Sequence, residues 1–172
     1  MKRQNVLTIR SITAIFWLGF FMAISFMEAP LKFTAPGISM AQGLQIGRIV
    51  FKSLNICEWA FLVIILLTCL MKKTSRYGFY LIAAISIILV LETAWLLPVL
   101  DAHAAMVIGG QQPPDHMEHW AYVVLEIIKV PVLLLIGLES IKVLRDDALK
   151  VNIQIISRCK RLKKITIIRS LK

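Results

Sequence analysis

The chain has 172 residues, 58% of them hydrophobic, with a mean hydropathy of +0.76 and a formal net charge of +10. Soluble domains run nearer about 45–50% apolar, so this composition excludes an ordinary soluble domain and points to one integral membrane unit. The basic excess does not signal nucleic acid, because lysine and arginine flank apolar spans as membrane topology requires.

The first span is expected over residues 11–29, ending before Pro30. Lys2, Arg3 and Arg10 precede it, as in a signal peptide, but its apolar run is too long for one. Phe26-Met27-Glu28-Ala29 also lacks the small residue that cleavage wants, so the span reads as a retained helix. A loop follows over residues 30–47, carrying Pro36-Gly37 and Gly43.

The second span is expected over residues 49–70 and the third over 77–97, closed by Pro98. Lys72, Lys73 and Arg76 lie on the short connection between them, which makes the two spans antiparallel neighbours. A second loop covers residues 98–116 and contains Gly109-Gly110-Gln111-Gln112-Pro113-Pro114. The fourth span is expected over residues 119–138.

Sixteen of the 20 lysines and arginines fall before span one, between spans two and three, or after span four. The positive-inside rule then places both termini in the cytoplasm of an inner-membrane protein. The expected fold is all-α, a four-helix transmembrane bundle running up-down-up-down. Residues 1–141 form the bundle, and residues 142–172 form a basic tail, cytoplasmic or interfacial, suited to anionic lipid. Four helices enclose little volume, so a transporter of this size is expected to dimerise. Cys57, Cys69 and Cys159 have neither disulfide nor zinc spacing and read as small buried hydrophobes.

Each span carries one glutamate: Glu28, Glu58, Glu92 and Glu126. Under the topology above, all four fall in the outer half, and a carboxylate in lipid is costly. Helical spacing adds neighbours to this layer. His119, Tyr122, Glu126 and Lys129 share a face of span four. Arg48, Asn55 and Glu58 share one on span two, with Lys52 at its edge. Trp17, Phe21, Ser25, Glu28 and Lys32 share one on span one. Glu92 has Trp95 and Leu96 beside it and no base within a turn of its own span, so Arg48, Lys52 or Lys129 would have to compensate it.

Polar contacts between membrane helices average about 0.6 kcal/mol, whereas a central charge costs about 2.5–3.5 kcal/mol. Structural glue is therefore a poor reason for four carboxylates. The leading expectation is a polar site that binds or moves a small cationic or protonatable solute. A membrane oxidoreductase using quinone, haem or metal is the alternative, and a bundle with internal ion pairs only is the third reading. His103, His116 and His119 are weak metal candidates without ligand-like spacing, and no cofactor is expected. No phosphate loop, GxSxG elbow or HExxH occurs, so enzymatic chemistry is not indicated.

Trp17-Leu18-Gly19-Phe20-Phe21, Leu91-Glu92 followed by Leu97-Pro98, and His119 opening the fourth helix resemble the small four-helix membrane proteins of the transmembrane protein 205 type. The resemblance covers residues 17–137 and implies the same bundle, with no substrate. Residues 28–33 and 46–51 and the basic tail depart from that family's pattern.

Overall fold

The structure, a computed structural model, describes residues 3–71, 74–112 and 117–170, the last twelve of these by backbone alone. Four apolar helical rods, Arg3–Thr34, Met40–Met71, Arg76–Ile108 and Met117–Arg158, are each long enough to cross a membrane. At about 1.5 Å per residue, every rod exceeds the roughly 30 Å hydrocarbon core. The protein is an all-helical, multi-pass membrane bundle, with no strand among the described residues.

The first rod is α1 (Arg3–Met22), a π-helical turn (Ala23–Glu28), α2 (Ala29–Leu31) and a 3-10 turn (Lys32–Thr34). The second is α3 (Met40–Met71). The third is α4 (Arg76–Leu91), a second π-helical turn (Glu92–Leu96) and α5 (Leu97–Ile108). The fourth is α6 (Met117–Ser170), with Pro131 inside it. α1 packs on α3 and α6, and α4 closes the bundle against α6. The start of α1, the end of α3, the start of α4 and the extension of α6 share one end, called here the termini end. The other two connections define the loop end.

The expected loops at residues 30–47 and 98–116 are too long, because helix continues through much of both. Pro30 and Pro98 look like stops, since proline donates no N–H and crowds the carbonyl four residues back. The chain instead widens to a π turn just ahead of each proline and resumes helix with proline in its first turn. α3 starts seven residues before Gly47 because Ser39 and Gln42 form a reciprocal capping box. The Ser39 N–H donates to Gln42 Oε1 at 2.9 Å, and the Gln42 N–H donates to Ser39 Oγ at 3.3 Å. The real stop of the third rod is Gly109-Gly110. Gly110 adopts φ +79°, and the Gln111 N–H donates back to the Met106 carbonyl at 2.9 Å.

α6 runs unbroken through residue 141 into the basic tail. Arg3 Nη1 pairs with Asp147 Oδ2 at 2.8 Å and ties the start of α1 to this extension.

The apolar core is built from Ala14, Trp17 and Phe21 of α1, Leu62 and Ile65 of α3, Ile82, Ile85 and Leu89 of α4, and Leu133 and Ile136 of α6. Ser11 Oγ donates to the Gly137 carbonyl at 3.2 Å, and a methyl at Gly137 would run into the Ile15 side chain. The α1 backbone comes within 3.9 Å of such a methyl only at the Ser11 carbonyl, so the glycine eases rather than dictates the close α1–α6 approach.

Candidate functional site: a lysine held by three glutamates

Lys129 is fully buried, and three carboxylates from three rods converge on its ammonium. Its Nζ lies 2.9 Å from Glu58 Oε1 on α3, 2.9 Å from Glu92 Oε2 at the start of the second π turn, and 2.8 Å from Glu126 Oε1 one turn away on α6. The three glutamates are 2%, 1% and 3% exposed. α1 supplies no charge here, but Trp17 Nε1 donates to Glu58 Oε1 at 3.0 Å. The Phe21 ring centroid lies 4.8 Å from the ammonium, within cation–π range.

The donor supply is uneven. Glu58 Oε1 accepts from both Lys129 and Trp17. Glu92 accepts from Lys129 through Oε2, while its buried Oε1 meets no hydrogen-bond partner. Glu126 Oε1 sits at ion-pair distance without donor alignment, and its Oε2 is likewise unpartnered. Three carboxylates against one ammonium would, if all were ionised, be an excess of two negative charges in a buried site.

Toward the loop end, Tyr122 lies one turn before Glu126 on α6 and is buried. Phe51 packs edge-on to Tyr122 with centroids 5.9 Å apart, and the Lys32 ammonium lies 5.2 Å from the Phe51 ring centroid. Lys32 also pairs with Glu28 Oε2 at 3.4 Å. Beside the cage, Asn55 Nδ2 and Trp59 Nε1 both donate to Thr93 Oγ1 at 2.9 Å, which fastens the second π turn to α3.

The structure thus brings together Glu58, Glu92, Glu126 and Lys129, with Tyr122 adjoining. Six other candidates lie elsewhere. Glu28 and Lys32 stand apart because the first π turn inserts a residue, rotating everything after it by about 100° away from the face of Trp17 and Phe21. Asn55 serves Thr93 rather than a carboxylate. Arg48 turns to Asp101 of α5, with Nη2 2.8 Å from Oδ2. Lys52 and His119 are exposed, so His119 does not share the buried face of Tyr122, Glu126 and Lys129. Trp95, expected beside Glu92, is 54% exposed, whereas Leu96 is buried.

Arg10, read above as a flanking charge, is instead buried, and its Nε donates to Thr68 Oγ1 at 2.8 Å. His116 and the Cys159 side chain lie outside the described residues. Among the described residues, no three His, Cys, Asp or Glu side chains form a group able to hold a metal ion.

The cage roles that sequence spacing does not show are those of Trp17, a donor to Glu58, and Phe21, whose ring faces the ammonium; spacing gives both only as helix-face neighbours. A tryptophan N–H in lipid has to find an acceptor, and that need was the available signal. Asp101 was hidden by the expectation of a loop after Pro98.

Fold and cage together define a four-helix, multi-pass membrane protein whose interior holds a lysine–glutamate cluster. No family model, curated protein or solved structure matches the chain.

Proposed function

We propose that this chain is a multi-pass protein of the cell inner (plasma) membrane, with both termini cytoplasmic. Its cage, in the outer half of the bundle, binds or moves a small cationic or protonatable solute. The carrying observation is the convergence of Glu58, Glu92 and Glu126 on one buried ammonium. One glutamate would neutralise Lys129. The other two add burial cost that inter-helix contacts of about 0.6 kcal/mol each do not repay. Their retention is explained by a task that needs surplus carboxyl groups away from water. The resemblance to the transmembrane protein 205 type adds no solute to this reading.

The cytoplasmic placement follows the lysine and arginine asymmetry. A reporter that works only outside the cytoplasm, fused after Lys172, should be silent, and activity there would reverse the topology.

The solute-handling claim is tested in proteoliposomes. One set is loaded with a pH-sensitive dye, and another with ethidium as a model organic cation. Wild-type protein should accelerate dissipation of one of the two gradients. Glu92→Gln should slow it at least tenfold while leaving the melting temperature within a few degrees. If Glu92→Leu moves both solutes at the wild-type rate and melts no lower, the cage is structural glue and the proposal fails.

A further inference from the structure

Charge balance in the cage deepens that reading by naming its ligand. The groups facing Lys129 come from all four rods. α1 contributes Trp17 and Phe21, neither of which titrates. α3 contributes Glu58, the second π turn contributes Glu92, and α6 contributes Glu126 and Tyr122. Arg48 and Lys32 are engaged nearer the loop end, and Arg10 lies deeper toward the termini. No second cation therefore reaches the three carboxylates among the described residues.

An interior of low dielectric does not sustain two uncompensated charges. The hydrogen-bond pattern says where compensation goes. Glu58 Oε1 has two donors and is the best-stabilised anion. Glu92 Oε1 and both oxygens of Glu126 are buried without a hydrogen-bond partner, Glu126 Oε1 lying only at ion-pair distance from Lys129. Two glutamates with open oxygens match two missing positive charges.

We propose that the cage stores two protons, on Glu92 and Glu126, beside a Glu58–Lys129 ion pair, and exchanges them with the loop-end side of the membrane. Each proton comes from water at that face and returns there.

The side follows from what separates the cage from each end. Tyr122 adjoins Glu126 toward the loop end, with Phe51, Lys32 and the part-exposed Glu28 beyond it. In the other direction, α3 runs apolar from Trp59 to Leu67 before reaching Thr68, ten residues or about 15 Å past Glu58. α6 runs from Lys129 to Ser140 through the buried Leu133 and Ile136, about 16 Å without a titratable group facing the core.

Because the cage couples its carboxyls, the count belongs to the cluster as a unit. It is read by infrared spectroscopy of the purified full chain at neutral pH, through the C=O stretch of protonated carboxyl groups. Wild-type protein should show two carboxylic acids. Each of Glu58→Gln, Glu92→Gln and Glu126→Gln should lower the count to one, because the remaining two carboxyls then share one proton and one charge. The fall from two to one in Glu58→Gln is the telling case, since the wild-type protons sit elsewhere.

A wild-type protein without the signal, or a signal that none of the three variants halves, overturns the proposal. In oriented vesicles, an alkaline jump at the loop-end face should bleach the band, and bleaching only from the termini face overturns the assigned side. The count and the transport reading fail separately. Two protons without flux would leave the store and remove the transporter, whereas flux without protonated carboxyls would do the reverse.

Discussion

The bundle has two buried polar layers, and they err in opposite directions. In the loop half, three carboxylates share one ammonium. In the termini half, Arg10 is 1% exposed and has no carboxylate in ion-pair range among the described residues. Its Nε is bound to Thr68, whose hydroxyl donates in turn to the Ile65 carbonyl at 2.6 Å, and its Nη2 is buried without a partner. Trp17 and Arg10 are seven residues apart on α1, about 10 Å along the axis. A bundle using charge only as adhesive would match acids to bases within each layer. Here the surplus acids and the surplus base occupy different layers, with apolar side chains between them.

The sharpest way to break the contrast is to remove the cage's cation. Lys129→Met leaves three buried carboxylates with one strong donor, Trp17. Removing one partner of a buried ion pair costs about 3–5 kcal/mol, so the variant should melt far below wild type at neutral pH. The sign of the pH effect is fixed. Acid protonates the stranded carboxyls and removes the charge penalty, so the deficit should shrink as pH falls. Adding Glu58→Gln, Glu92→Gln and Glu126→Gln to Lys129→Met should recover most of the loss. Melting curves of the detergent-solubilised variants at neutral and acidic pH check this. A Lys129→Met protein as stable as wild type at neutral pH would mean the lysine is not the cage's counter-charge.

The two layers also differ in how legible they were from sequence. Glu58, Glu92, Glu126 and Lys129 can be picked out because four apolar runs interrupted by only one or two charges each leave little choice of facing. Helical period then put Tyr122 beside Glu126. What period could not supply was backbone irregularity. The π turn at Ala23–Glu28 breaks the 3.6-residue count, so Glu28 and Lys32 were assigned to a face they do not occupy. Pro30 and Pro98 read as terminators, because local propensity does not show that the chain can widen one turn and continue. That reading lengthened both loops and hid the Arg48–Asp101 pair. Arg10 was assigned to the flank by its position near the chain start, although Val6, Leu7 and Ala14 on the same helix are buried around it.

A smaller effect sharpens the asymmetry inside the cage. Trp17→Phe keeps the ring packing against Phe61 and removes only the N–H that Glu58 accepts. A hydrogen bond to a charged group contributes about 1.5–3 kcal/mol, so the loss should exceed that for a neutral pair. With its second donor gone, Glu58 is no longer the favoured anion, and the negative charge should spread toward Glu92 and Glu126. The count of protonated carboxyls should stay at two while the band broadens or moves. A band identical to that of wild type would mean that Trp17 does not select Glu58 as the ionised member.

Removal of the other cation should have the smallest effect. Arg10→Met takes away a buried charge that no acid compensates and fills the space with an apolar side chain of similar length. Against this stands the loss of one hydrogen bond to Thr68, worth about 0.5–1.5 kcal/mol. Relief of desolvation and of the unpartnered Nη2 works the other way, and buried charges replaced by apolar groups are often neutral or stabilising. Thr68 keeps its bond to the Ile65 carbonyl, so no new polar orphan is created. The melting temperature in detergent should therefore stay level or rise, in contrast to the collapse expected for Lys129→Met. A fall as large as that of Lys129→Met would show that Arg10 carries a counter-charge of its own, an anion lodged in the termini half. The two layers would then be alike in kind, each a neutralised ion cluster.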